Sequence, residues 1–295
     1  MSSRSSAESC SAIPSAGVMA GVVARLTALL ARYRGGVPEM IEVEAYRRMA
    51  ERALGRRIVR VDASDAWFCK GTTTPEMLLS VLPGTEIVRA RRIGKLLLAD
   101  LSSGSVLGLR FGMTGRLLVD GAAAIDQLLY SSDRDLRAWD RFEVRFADGG
   151  SLAVRDPRRL GGVELDPDEK KLGRDAAEIS LGTFRSSLES ASPVKVVLLD
   201  QHRVAGIGNL LADELLWRAG IAPGRAANSL STGEVADLRS VMRETIRVLT
   251  KRGGSHCGDL QEHRRPGSRC PTDGHALQHC TVGGRSTWWC PQHQI

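Results

Sequence analysis

The apolar residues of this chain change period twice. Over residues 39–54, Val43, Tyr46, Ala50, Ala53 and Leu54 fall on one face of a 3.6-residue repeat, which predicts a helix that Gly55 can stop. From Ile58 to about Leu165 the pattern is that of strands. Residues 95–101 and 106–111 are strand-like around SSGS, and residues 142–146 and 152–155 flank ADGGS, a strong hairpin signal. Strands in regular succession with glycine-rich turns predict a sandwich or barrel. After about Asp166 the helical period returns. Ser192-Pro193 can open a helix through VKVVLLDQ with proline at its first position. Residues 209–219 follow, with Leu211 and Leu215 one turn apart and Gly220 at the end. Ser231 and Glu234 suit a capping box, and the helix behind them turns Val235, Leu238, Met242, Ile246 and Leu249 inward before Gly253-Gly254. The expected fold is α+β: a helix, a β domain, a helical domain and a small C-terminal appendage.

The appendage carries the densest chemistry. Cys270, Asp273, Cys290 and His293 form two pairs with two residues inside each pair and sixteen between the pairs. That is zinc-ribbon spacing, with aspartate and histidine where cysteine is commoner. His275, His279 and Cys280 are alternatives to Asp273 as a ligand. Between the pairs, TVGGRSTWW reads as two short strands around a Gly-Gly turn that carries Arg285. A metal knuckle that points an arginine outward suits a nucleic-acid backbone. The other cysteines, Cys10, Cys69 and Cys257, show no disulfide framework, as expected of an intracellular protein.

Composition agrees with that partner. The net charge of +7 favours an acidic ligand, most simply nucleic acid, and 295 residues accommodate two domains plus an appendage. No apolar run approaches the roughly 18 residues of a membrane span. Residues 1–36 stand apart: a serine-rich start suggests disorder, and the basic amphipathic run after it suggests a targeting peptide, a loose helix or a translation artefact.

Five short segments carry further chemistry. Pro38-Glu39-Met40-Ile41-Glu42-Val43-Glu44 places three carboxylates at a helix start, where the dipole favours them. Arg91-Arg92-Ile93-Gly94-Lys95 enters a strand, and Phe111-Gly112-Met113-Thr114-Gly115 forms a turn. Asp156-Pro157-Arg158-Arg159-Leu160-Gly161 follows a strand, and Leu199-Asp200-Gln201 precedes Gly206-Ile207-Gly208-Asn209 at a helix N-terminus, where bare amides attract phosphate.

In this order the segments resemble the formamidopyrimidine-DNA glycosylase and endonuclease VIII family over about residues 38–294. PEMIEVE is similar to that family's PELPEVE, RRIGKLLL to RRGKYLL, FGMTG to LGMSG and DPRRLG to DPRRFG. LDQ…GIGN resembles its helix-two-turns-helix motif, and VGGRSTWWCPQHQ its zinc finger. The resemblance implies a catalytic β-sandwich domain over residues 38–166, a helix-two-turns-helix domain over 167–254, and a short lid and zinc finger over 255–295, with residues 1–37 an extension. It implies a bifunctional glycosylase and abasic-site lyase of base-excision repair that acts on damaged double-stranded DNA. Such a protein is expected to be a cytoplasmic, nucleoid-associated monomer with bound zinc and no membrane contact.

The implied roles are specific. Pro38 matches the nucleophile, Glu39 the general acid/base, and Glu42 and Glu44 supporting carboxylates. Lys95, Asn209 and Arg285 match clamps on the backbone phosphates. Met113, Arg158 and Leu160 match the side chains that fill the gap left by an extruded base, with leucine in place of the usual phenylalanine. Cys270, Asp273, Cys290 and His293 match the zinc ligands. The lid is short, so no strong preference for oxidised guanine is expected, and oxidised pyrimidines, ring-opened purines or abasic sites are expected to serve at least as well. Within a longer chain, the Pro38 nitrogen is a tertiary amide without a nucleophilic lone pair. The active polypeptide is therefore expected to begin after Val37, read as an initiator methionine and removed, or to be cut there by a protease. If the extension is retained, the alternative is a non-catalytic damaged-DNA-binding protein.

Overall fold

The computed structural model describes residues 34–35, 37–125, 127–128, 134 and 136–295. Arg34–Gly35 pair in parallel with Gln127–Leu128; the rest of the expected extension, apart from Val37, lies outside the described residues. Helix α1 spans Met40–Ala50 and tightens into a 3-10 turn over Glu51–Ala53. The tightening leaves Leu54 39% exposed, although Val43, Tyr46, Ala50 and Ala53 are buried as their spacing predicts. Gly55, at φ +70°, takes the left-handed conformation that ends the run.

The β region is a two-layer sandwich. Its strands are β1 (Ile58–Asp62), β2 (Ile87–Ile93), β3 (Leu96–Leu101), β4 (Val106–Arg110), β5 (Arg116–Val119), β6 (Ala122–Ala123), β7 (Asp140–Phe146), β8 (Ser151–Arg155) and β9 (Gly162–Leu165). One sheet has the order β1-β7-β8-β5-β6 and the other β9-β4-β3-β2. Both hairpins marked in the sequence form, β3 with β4 and β7 with β8. The strand pattern hid one helix, α2 (Pro75–Val81), whose start has its own local code: Thr74 accepts a hydrogen bond from Met77 N (3.3 Å), with proline in the first turn.

The second half holds α3 (Leu181–Ser187), α4 (Val194–Leu199), α5 (Asn209–Arg218) and α6 (Thr232–Arg252). Pro193 stands just outside α4 with an extended ψ of 136°, one place before the expected first helical position. Ser231 and Glu234 cap α6 reciprocally, and Gly253 closes it at φ 110°. Strands β10 (Gln278–Val282) and β11 (Arg285–Trp289) form the terminal hairpin. Gly283 and Gly284, at φ 56° and 74°, supply the two left-handed positions of a tight hairpin turn.

The apolar residues gather in three clusters, and α1 belongs to two of them. Val43, Tyr46 and Met49 enter the sandwich core, whereas Met40 and Ile41 enter the helical core. The start of α1 therefore lies on the seam between the halves. A third cluster joins Trp217, Leu260, Leu277 and Trp288 to Cys270 and Cys290. No described helix is long and apolar enough to cross a membrane.

Candidate functional site

At that seam Glu39 is 1% exposed. Its carboxylate accepts hydrogen bonds from the amides of Gly208 (3.0 Å), Leu210 (2.8 Å) and Leu211 (3.1 Å) at the start of α5. These are orphan donors of a helix N-terminus, where the dipole favours negative charge. Gly208 makes the approach possible, since a Cβ there would collide with the Glu39 carboxyl. Burial raises the pKa of Glu39, while Lys95 and the three amides oppose the rise. Glu42 lies beside it, accepting from Glu39 N (3.0 Å), Ser255 N (2.7 Å) and Ser255 Oγ (2.8 Å). Burial and the neighbouring Glu39 push Glu42 up to about 7. Glu44 turns away, pairing with Arg47, Arg48 and Arg92. Pro38 is buried next to Glu39, its nitrogen in the peptide bond from Val37.

The turn between β2 and β3 presents Lys95. Gly94, at φ +57°, bends the turn against the helical half; a Cβ there would lie 2.7 Å from both Ala205 Cβ and Gly206 N. Asp175 holds the bend by accepting from Gly94 N (2.7 Å) and Arg92 (2.5 Å). Burial lowers the Lys95 pKa, Glu39 and Glu42 hold it up, and Arg285 pushes it down, so acids from α1 and an arginine from β11 act on one ammonium. Asn209 donates from Nδ2 to Ser286 O (3.0 Å), which ties α5 to the hairpin strand that carries Arg285. The structure thus draws Glu39, Lys95, Asn209 and Arg285 together from four separate segments.

Met113, Arg158 and Leu160 form a second group. Arg158 Nη1 stands 4.0 Å from Met113 Sδ, and Leu160 is 48% exposed. The two turns interlock, since a Cβ on Gly112 would come within 2.5 Å of the Leu160 carbonyl carbon. Buried Asp156 fastens them by accepting from Thr114 Oγ1 (2.5 Å), Gly161 N (2.8 Å) and Arg158 N (3.2 Å).

At the C-terminus one ligand atom from each of Cys270, Asp273, Cys290 and His293 lies within 4.8 Å of all the others. Cys290 Sγ lies 3.2 Å from Asp273 Oδ2, and Cys270 Sγ lies 3.5 Å from His293 Nδ1. A tetrahedron with zinc–ligand arms of 2.0–2.3 Å has edges of roughly 3.3–3.8 Å, so this donor set fits such an ion. His293 Nε2 contacts Trp217 O (3.1 Å), which leaves Nδ1 for a metal. Of the alternatives, His279 instead contacts Ser286 Oγ (2.9 Å) and packs on Trp288.

Comparison with known proteins places this geometry. The sequence model of the formamidopyrimidine-DNA glycosylase N-terminal domain matches residues 37–163, and that of the family's H2TH domain matches residues 172–259. This chain belongs to the formamidopyrimidine-DNA glycosylase family. The family's enzymes from Cereibacter sphaeroides and Stenotrophomonas maltophilia are 33% and 32% identical to it; each alignment covers 88% of this chain and 100% of the relative. Lactococcus lactis Fpg in complex with abasic-site DNA is similar in structure, with a TM-score of 0.73, 27% identity and coverage of 87% and 99%. Its complex with Fapy-dG DNA gives a TM-score of 0.74 at 28% identity with the same coverage. Several residues that shape the site in this family member carried no sequence signal. Ser255 and Asp175 act through long-range contacts. Gln201, by contrast, belongs to the LDQ segment marked in the sequence, and it sets the GIGN turn by accepting from Gly206 N (2.9 Å) and donating to Ile207 O (2.9 Å).

Proposed function

We propose that this chain removes damaged bases from double-stranded DNA and then cuts the strand at the abasic site. The observation that carries the reading is the buried Glu39 carboxyl, anchored on α5 beside Pro38 with Lys95 in its field. The solved relatives bound to abasic-site and Fapy-dG DNA support the choice of ligand.

The chemistry requires a free Pro38 amine, and so a chain that begins there. The family match starting at residue 37 supports such a start. The amine lone pair attacks C1′, and the bond from C1′ to the base breaks with its electrons leaving on the base. The nitrogen loses its proton to the departing base. Protonated Glu39 delivers a proton to the ring oxygen as the C1′–O4′ bond opens, leaving an iminium. Glu39, now a carboxylate, takes a C2′ proton while the C–H electrons flow into the iminium; the resulting enamine expels the 3′ phosphate, and a second elimination expels the 5′ phosphate. Lys95, Asn209 and Arg285 grip phosphates around the flipped nucleotide, while Met113, Arg158 and Leu160 occupy the gap it leaves. Zinc on Cys270, Asp273, Cys290 and His293 ties the hairpin to the chain end and supplies structure, not reactivity.

The short lid argues against a strong preference for oxidised guanine and leaves oxidised pyrimidines, ring-opened purines and abasic sites at least as good substrates. Asp259 and Leu260 donate their amides to Glu214 (3.0 and 2.9 Å), pinning the lid to α5.

Borohydride trapping tests the mechanism. Protein beginning at Pro38 should become covalently attached to abasic duplex, and the 295-residue chain should not. Tight binding of abasic duplex by both forms without trapping by either would instead support a non-catalytic damage binder.

A further inference from the structure

We propose that Trp67 and Lys70 form a contact site for the undamaged strand of the duplex, beside the tip made by residues 158–160; this rests on the DNA reading above. Trp67 is 69% exposed, yet it does not sit on a loose loop. Its neighbour Phe68 is fully buried and locks the 3-10 turn Ala66–Phe68. Cys69 bridges in parallel to Val163, and Lys70 N donates to Val163 O (2.8 Å). Lys70 Nζ donates to Trp67 O (2.7 Å) and stands 5.4 Å from the centroid of the indole. Its stem lies over Gly162, where a Cβ would come within 2.6 Å of Lys70 Cε.

This turn is continuous with the tip. Asp65, the residue before the turn, pairs with Arg159, which holds a left-handed φ of 57° between Arg158 and Leu160. Phe68 Cζ lies 3.2 Å from where a Gly161 Cβ would sit. A rigid, outward indole beside an ammonium offers a face for stacking and a charge for phosphate, which together suit a nucleic-acid strand. In the function proposed above, Arg158 and Leu160 occupy the gap left by the flipped nucleotide, whose former partner belongs to the undamaged strand, so that strand is the one beside the tip.

The test titrates the full chain, Trp67→Ala and Trp67→Phe with a duplex that carries a tetrahydrofuran abasic analogue. A second duplex carries a gap of several nucleotides in the undamaged strand across from the analogue. On the intact duplex Trp67→Ala should bind roughly tenfold more weakly, and Trp67→Phe within about twofold of wild type. On the gapped duplex all three should bind alike. If Trp67→Ala equals wild type on the intact duplex, or loses as much on the gapped one, the assignment is overturned while damage recognition stands. If the wild type binds the abasic duplex no better than undamaged duplex, the DNA reading and the assignment fall together.

Discussion

At the scale of single residues, the fit around Glu39 is the most constrained part of the molecule. Gly208→Ala would drive a methyl group into the Glu39 carboxyl and so displace it from its three amides. Base excision should fall by at least about tenfold for a shift near an ångström, measured by single-turnover cleavage of a lesion duplex. Glu39→Gln should impair excision in the same assay, and unchanged excision would remove Glu39 from the mechanism. Glu42 gives a test through pH. Its carboxyl is raised from 4.5 to about 7, so between those values the folded state holds a proton that the unfolded chain has released. Stability therefore falls as pH rises through this window, by on the order of 3 kcal/mol, and levels off above it. Glu42→Gln should flatten that slope in thermal unfolding measured from pH 4.5 to 8. Pro38, Glu39 and Lys95 were legible because each sits in a contiguous motif. Ser255 was not, because its partner Glu42 lies 213 residues away.

At the scale of elements, the terminal hairpin is held by more than its ligand cluster. Lys195 from α4 and Asp213 from α5 form an ion pair of 2.6 Å with both side chains at 0% exposure. Arg264 joins Asp213 at 2.9 Å, and Lys195 donates to Thr287 Oγ1 (2.7 Å) and Ser286 O (3.1 Å) on β11. Asp213→Ala would leave two buried cations without their carboxylate and should cost about 3–5 kcal/mol, read by denaturant unfolding. Cys290→Ser should lower bound zinc, measured by elemental analysis, and weaken DNA binding while the sandwich still folds. Hairpins and long helices were readable because glycine pairs, caps and a sustained period mark them locally. Helix α2 was missed because Pro75–Val81 is too short for its period to stand out from flanking strands, although Thr74-Pro75 announces it. The buried charges were unreadable, since nothing in VKVVLL or ADELL tells that Lys195 and Asp213 face each other.

At the scale of the whole molecule, the net charge of +7 should make DNA binding weaken steeply with salt. Lys95→Ala and Arg285→Ala should each reduce the slope of log affinity against log salt by about 0.9, the signature of one lost phosphate contact. The order of sandwich, helical half and hairpin was legible from the changes of period, but the way they meet was not. Helix α1 looks like the opening of the sandwich, yet Met40 and Ile41 pack into the helical core. Glu39 is consequently a carboxyl supplied by one half and solvated by the backbone of the other. Parting the halves would strip those amides from the carboxyl and at the same time admit water to it, so the two opposing causes of its proton affinity are both set by one seam. A substitution that loosens the seam anywhere along α1 would therefore be felt at this carboxyl without touching it.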